Sequence, residues 1–234
     1  MKPEDLIPMM QDVFSEGLQS VILYGSAASG HFQSKHSNYN VMVLVENTVE
    51  ANPLAGQKIL KTWLKKNPPP LVWDQNFFNS SKDVFPLEFL ELQRHHRILY
   101  GKPLPPYEVG LKNLRHQCEM ELRTKYIRLQ NHPAHLFGYR KKLGQALLQT
   151  LPSILVLMDG LLFIQGKTPE TDWNKRVEQL AMSVDIHPQV FLDWISIRNG
   201  QLSFPRRKEI PELFEAFLTE MKTLIRFADT LEVL

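Results

Sequence analysis

The sequence predicts an α+β protein, with a small mixed-sheet domain over residues 1–105 followed by an all-α helical bundle over residues 106–234. Three observations carry this. Apolar runs of β character, Val21 to Tyr24 and Val41 to Val45, belong to the first part of the chain. The stretch Lys102-Pro103-Leu104-Pro105-Pro106 is proline-rich and stiff, as a domain boundary requires. Beyond it the β signals stop, and apolar residues recur at three- and four-residue steps, the period of helices with one buried face. At 234 residues the chain is long enough for two modest cores, and 43% hydrophobic with 22% charged residues argues against disorder.

In chain order, residues 3–17 predict an amphipathic helix, with Leu6, Met9, Met10, Val13 and Phe14 on one side and Gly17 as its stop. The first strand then runs into Gly25-Ser26, small residues continue to Gly30, and the second strand follows, giving strand, turn into helix, loop, strand. A helix over about Leu54 to Lys66 ends at Asn67 and Pro68-Pro69-Pro70, which cannot continue a helix and deliver the chain extended to Leu71. Trp73, Phe77 and Phe78 are assigned to the core. Asp83 to Leu92 reads as a β-type run carrying Glu88 and Glu91, and Arg97 to Gly101 as a short closing strand and turn.

The second half predicts four to six helices. Leu111, Leu114, Cys118, Leu122, Tyr126 and Leu129 mark one apolar face on a helix that Pro133 stops. Another starts near Ala134 and passes Leu143, Leu147 and Leu151. Pro152 is expected to kink or restart it before Ile154 to Met158, the buried centre of the bundle. Thr168 caps the next helix with Pro169 at its first position, and two more span about Pro188–Ile197 and Pro211–Leu231.

The segment from Leu23 to Val45 also carries the chemistry. A Gly-Ser step at a helix start lets the backbone approach a phosphate, whose charge meets free N–H groups and the positive helix end. Separated from Ser26 by eleven residues come Asn38-Tyr39-Asn40, and positions 38 and 40 of a strand share a face because side chains alternate. This string resembles the nucleotidyltransferase superfamily, polymerase-β-like and including minimal nucleotidyltransferases and antibiotic-modifying enzymes. There Gly-Ser is followed nine to thirteen residues later by two carboxylates flanking one hydrophobic residue.

The resemblance implies a nucleotide-binding turn at Gly25 and Ser26, with Asn38 and Asn40 standing at the two metal-carboxylate positions. Asparagine keeps the shape of aspartate but offers a neutral carbonyl, whereas Mg²⁺ in phosphoryl-transfer sites is held by carboxylates. The implied function is therefore a pseudoenzyme that binds a nucleotide, a small metabolite or a protein partner. Mg²⁺ and ATP as working cofactors follow only if activity survives. The alternative is an active enzyme passing a nucleotidyl group to a small hydroxylated acceptor, with Glu88 or Glu91 aided by Asp74 or Asp83 as non-standard metal ligands. Asp to Asn is also the usual isosteric knockout, so an engineered inactive variant fits the same residues. Glu88 is the first choice for the superfamily's third acidic position, ahead of Glu91 and Asp83. A helical domain behind the small domain further resembles the antibiotic adenylyltransferases, where the substrate lies between the two, so a nucleotide or metabolite is expected in an inter-domain cleft.

Other classes are argued against. Residues 1–105 hold ten basic and ten acidic side chains, leaving 17 against 15 for the rest, so neither part has the concentrated positive field of a nucleic-acid binder. The apolar stretch Leu151 to Gln165 contains Pro152, Asp159 and Gly160, short of a membrane span. Met1-Lys2-Pro3-Glu4-Asp5 lacks the order of a signal peptide, and a cytoplasmic location is expected. Cys118, the single cysteine, reads as a buried small hydrophobe. His95 and His96 are adjacent, point to opposite faces of a strand and do not chelate one metal ion. Arg128 and His135 have the spacing of a ribonuclease pair, but Pro133 between them breaks the helix. There is no Walker loop, Rossmann glycine fingerprint or Cys/His metal spacing.

Overall fold

The computed structural model describes residues 1–30, 38–47, 57–132, 135 and 138–233. The chain is α+β and forms two compact units, Met1–Gly110 and Leu111–Leu234.

The first unit is built on a sheet of four strands, β1 (Leu18–Tyr24), β2 (Asn40–Val45), β3 (Leu71–Asp74) and β4 (His96–Gly101), in the order β3-β2-β1-β4. β1 pairs antiparallel with both β2 and β4, and β2 pairs parallel with β3. The central strands are apolar on both faces because both are covered. On one face Val21, Leu23, Val41, Val43 and Val45 pack with Leu6, Met9 and Met10, and with Trp63 of α2 (Gln57–Trp63). Met9 and Met10 belong to α1 (Ile7–Phe14), flanked by the 3-10 turns Pro3–Leu6 and Ser15–Gly17. On the other face Ile22, Tyr24, Met42 and Leu44 meet Phe78 of α3 (Gln75–Ser80) and Phe89 and Leu92 of α4 (Pro86–Arg94). Gly101, at φ +84°, ends β4 so close to the Gln19 carbonyl that a Cβ would overlap it.

Two expectations for this unit are corrected. Residues 86–94 are a helix, not a strand. Pro86 stands in its first turn, where no N–H is needed, and Phe89 and Leu92, three apart, insert into the core. Phe77 is 48% exposed, so only Phe78 of that pair fills core. Asp74 caps α3, its Oδ1 accepting from the Phe77 N–H at 2.8 Å. The start of the expected helix at Leu54 lies outside the described residues.

The second unit contains, among the described residues, α5 (Leu111–Gln130), α6 (Arg140–Ile164), α7 (Trp173–Ala181), α8 (Pro188–Arg198) and α9 (Ile210–Thr230). α6 is the core helix and runs through Pro152 without restarting, a correction with a local cause. Proline frees the carbonyl four residues earlier, at Leu148. That oxygen accepts from Arg198 Nη1 at 3.1 Å. The unbroken helix is long and apolar enough to cross a membrane, at mean hydropathy 1.9, but 61% of the apolar window is buried in the bundle, as in a core helix. The start expected at Ala134 lies outside the described residues.

α7 begins at Trp173, capped by Asp172, whose Oδ1 accepts from Lys175 N at 3.0 Å; the predicted Thr168 cap is wrong. The backbone of residues 168–171 bonds to side chains instead. Gln179 binds Thr168 O and Glu170 N, and Arg176 binds the carbonyls of Glu170 and Thr171. Arg176 also pairs with Asp159 at 2.6 Å, both groups more than nine-tenths buried. Cys118 is fully buried.

Candidate functional site

β1 ends at Tyr24, opposite Asn40 on β2 and His96 on β4. The chain turns at once. Gly25 adopts φ +74°, a conformation costly for any residue with a Cβ, and its carbonyl accepts from the N–H groups of Ala28 and Ser29 at 2.9 and 3.0 Å. Gly25–Ala27, which includes Ser26, is a single 3-10 turn. The helix expected to follow Gly25-Ser26 is therefore reduced to this turn in the described residues, and residues 31–37 lie outside them. A single turn has little macrodipole, so an anion there meets mainly the first N–H groups, which a 3-10 turn leaves without an internal partner.

Asn40 closes this corner. A Cβ built on Gly25 would lie 2.9 Å from Asn40 Nδ2 and 3.9 Å from its Cγ, so the amide lies against the glycine. Strand alternation accounts for it. Met42 and Leu44 belong to the core on the Tyr24 face, and Asn40 continues that series, while Tyr39 packs on the opposite face with its ring stacked 6.2 Å from Trp63. β2 starts only at Asn40; Asn38 is exposed and precedes the strand. The approach to the strand is pinned by Asn67, whose Oδ1 accepts from Tyr39 N at 3.0 Å. Asn67 follows α2, and Trp63 Nε1 donates to Pro68 O at 2.6 Å, so the proline stop also fixes the position of residue 39. Sequence reasoning missed Asn67 and Trp63 as positioning residues; only the helix stop marked them.

Glu88 lies in the first turn of α4 and Glu91 one turn later, both half-buried. Their carboxylates reach the sheet end electrostatically. Burial pushes the Tyr24 phenol well above its ordinary range, and Glu91 and then Glu88 push it further. Gly25, Asn40 and Tyr24 thus gather at one corner of the first unit, within the electrostatic influence of the two glutamates. Asp83 is exposed and Asp74 is engaged as a helix cap. His95 follows α4 and His96 opens β4, its Nδ1 2.6 Å from Leu92 O.

Asn38 and Asn40 supply neutral carbonyls, and the described residues contain no group of three or more His, Cys, Asp or Glu that could hold a metal ion.

No protein-family model matches the chain, and no curated protein matches it in sequence. In structure it is similar to spectinomycin adenyltransferase AAD(9) from Enterococcus faecialis, solved with ATP and spectinomycin, at TM-score 0.55 and 10% identity. The match covers 94% of this chain and 100% of that one. The chain has a nucleotidyltransferase-like fold.

Proposed function

We propose that this protein is a catalytically impaired nucleotidyltransferase-like protein that keeps a nucleotide-binding turn at Gly25 and Ser26. The observation that carries the reading is the Asn40 amide lying against Gly25, a neutral group where the superfamily resemblance calls for a metal carboxylate. The similarity to a fold solved with ATP supports a nucleotide as ligand. Metal-assisted phosphoryl transfer needs a cation bridging attacking and leaving oxygens, and two neutral amides do not recruit one. An amide pair also spares a phosphate the repulsion of bare carboxylates. Metal-free binding through backbone N–H groups is then expected at about millimolar to tens of micromolar affinity.

A second reading, an active transferase, is favoured by one observation, the reach of Glu88 and Glu91 to Tyr24. One series separates the two. The parent protein is expected to show negligible transfer from ATP, GTP, CTP or UTP with Mg²⁺ or Mn²⁺, while Asn38→Asp with Asn40→Asp gains Mn²⁺ affinity by calorimetry. Parent turnover that disappears in Glu88→Gln would establish the active enzyme instead. Mn²⁺ affinity unchanged by the double substitution would mean that the corner has lost more than its two carboxylates.

A further inference from the structure

Helices α5 and α9 of the second unit enclose a groove of 570 Å³ that the proposed nucleotide corner does not use. Its apolar lining is Tyr126, Ile127, which is 53% exposed, and the buried Ile225. Its rim is cationic. Arg123, Lys222 and Arg226 line the groove together with Thr219, and among the described residues no carboxylate does.

The three cations differ in what already neutralises them. Arg123 is engaged, with Nε 2.8 Å from Glu119 Oε1 and Nη2 3.5 Å from Asp229 Oδ2. Lys222 lies 5.6 Å from the centre of the Tyr126 ring, and Arg226 donates to Thr223 Oγ1 at 3.2 Å. Among the described residues neither has a carboxylate within ion-pair distance. They stand four apart on α9, a like-charge spacing that disfavours the helix. By contrast the charges of α5 pair along the helix, Glu119 with Arg115 and Arg123, and Glu121 with Lys125. Two adjacent cations with no counter-charge among the described residues, beside an exposed isoleucine and the Tyr126 ring, are complementary to one molecule bearing both an anion and an apolar body. The volume lies within the roughly 300–1,000 Å³ of small-molecule sites.

We propose that the α5/α9 groove binds a small organic anion, an aromatic or aliphatic body ending in a carboxylate, sulfonate or phosphate. Lys222 and Arg226 hold the anionic head while Ile127, Tyr126 and Ile225 take the body. Anilinonaphthalene sulfonate is the probe, titrated against the full chain by fluorescence, with methyl shifts of Ile127 and Ile225 to locate it. Saturation at one equivalent with both methyl groups shifted is expected. Lys222→Gln with Arg226→Gln should weaken binding at least about tenfold, with an unchanged circular dichroism spectrum. Ile127→Gln, which leaves every charge in place, should weaken it as well. Equal binding of uncharged phenylnaphthylamine, or of the probe to the Lys222/Arg226 variant, would overturn the anion requirement. Full competition by millimolar sulfate would reduce the groove to a simple anion patch, and probe shifts elsewhere would remove the site. Binding of anionic vesicles in place of the soluble probe would make the face a membrane contact and likewise overturn the proposal.

Discussion

The two units treat charge in opposite ways. Among the described residues every fully buried charged side chain, Asp159, Arg176 and Glu220, lies in the second unit, and each is tied to neighbouring structure. Arg176 joins Asp159 to the carbonyls before α7. Glu220 of α9 accepts from the His187 N–H at 3.0 Å and lies 3.1 Å from its Nδ1, capping α8 where His187 provides no side-chain cap of its own. In the first unit the buried corner is held by a glycine, a phenol and a neutral amide, and its nearest carboxylates are only half-buried. Buried charge here is scaffolding. The corner at the end of β1 holds a neutral amide instead, with the charges of Glu91 and Glu88 acting on it from half-buried positions.

If so, breaking a charge in the bundle should cost far more stability than changing one at the corner. The largest effect is expected for Asp159→Ala, which leaves the Arg176 guanidinium buried without its counter-ion and should cost about 3–5 kcal/mol in urea unfolding. Asp159→Leu with Arg176→Met should recover part of that, because an apolar pair replaces the ions, although the carbonyls of Glu170 and Thr171 lose their donor. A loss below about 1 kcal/mol for Asp159→Ala would mean that water reaches the pair and that the contrast between the units is overstated.

Next in size comes a purely steric break in the first unit. Gly101→Ala places a Cβ against the Gln19 carbonyl at φ +84°, and the β1–β4 edge must shift to admit it. A cost of about 2–3 kcal/mol is expected from strain and lost pairing. Amide exchange tests it, with faster exchange confined to β1 and β4 and none in α5 to α9. Protection lost equally in both units would show that the two unfold as one.

These features were unevenly legible in the sequence. The change of period at Lys102–Pro106, the two apolar strands and the Gly25-Ser26 turn could be read directly, because each rests on local patterning. The strand reading of residues 83–92 failed because Phe85, Leu87 and Phe89 recur at every second position, the period of a strand. The proline at position 86 and the acid two residues later are the signature of a helix start, and they outweighed the alternation. Pro152 was misread for a different reason: the donor to the Leu148 carbonyl that it frees, Arg198, lies fifty residues beyond Leu148, and no local rule reveals it. The same holds for the corner. Gly25 and Asn40 were visible as a motif, whereas Asn67 and Trp63, which fix the approach to β2, act through tertiary contacts.

That distant donor gives the third prediction. Arg198→Met keeps the length of the side chain but strands the Leu148 carbonyl freed by Pro152, and the loss should be about 1–2 kcal/mol. Pairing it with Pro152→Ala restores the helix's own N–H and should return most of the stability, since Leu148 O then has a donor within α6. Losses that simply add in the double variant would place the work of Arg198 elsewhere, such as over the Trp173 ring 5.9 Å away.

The smallest effect is expected at the Tyr24 corner itself, and it appears only in alkali. The Tyr24 phenol is held neutral by burial first and by Glu91 and Glu88 second, so its folded pKa lies above the unfolded value of about 10. An acid whose folded pKa is raised contributes stability fully below the unfolded value. That contribution is lost as the pH rises past it, because the unfolded phenol releases a proton the folded one keeps. Tyr24→Phe should therefore change stability by no more than about 0.5 kcal/mol near neutral pH. Above pH ~10 it should remove up to about 1.4 kcal/mol per pH unit of the parent's decline, the slope for one proton. Glu88→Gln and Glu91→Gln probe the same group, since removing either charge lowers the folded pKa towards the ordinary range and brings the parent's decline to an end at lower pH. Urea midpoints followed from pH ~8 to pH ~11 decide it. An alkaline profile identical in parent and Tyr24→Phe would mean that the phenol ionises freely in the folded protein, and that the corner is wet and open to charge after all.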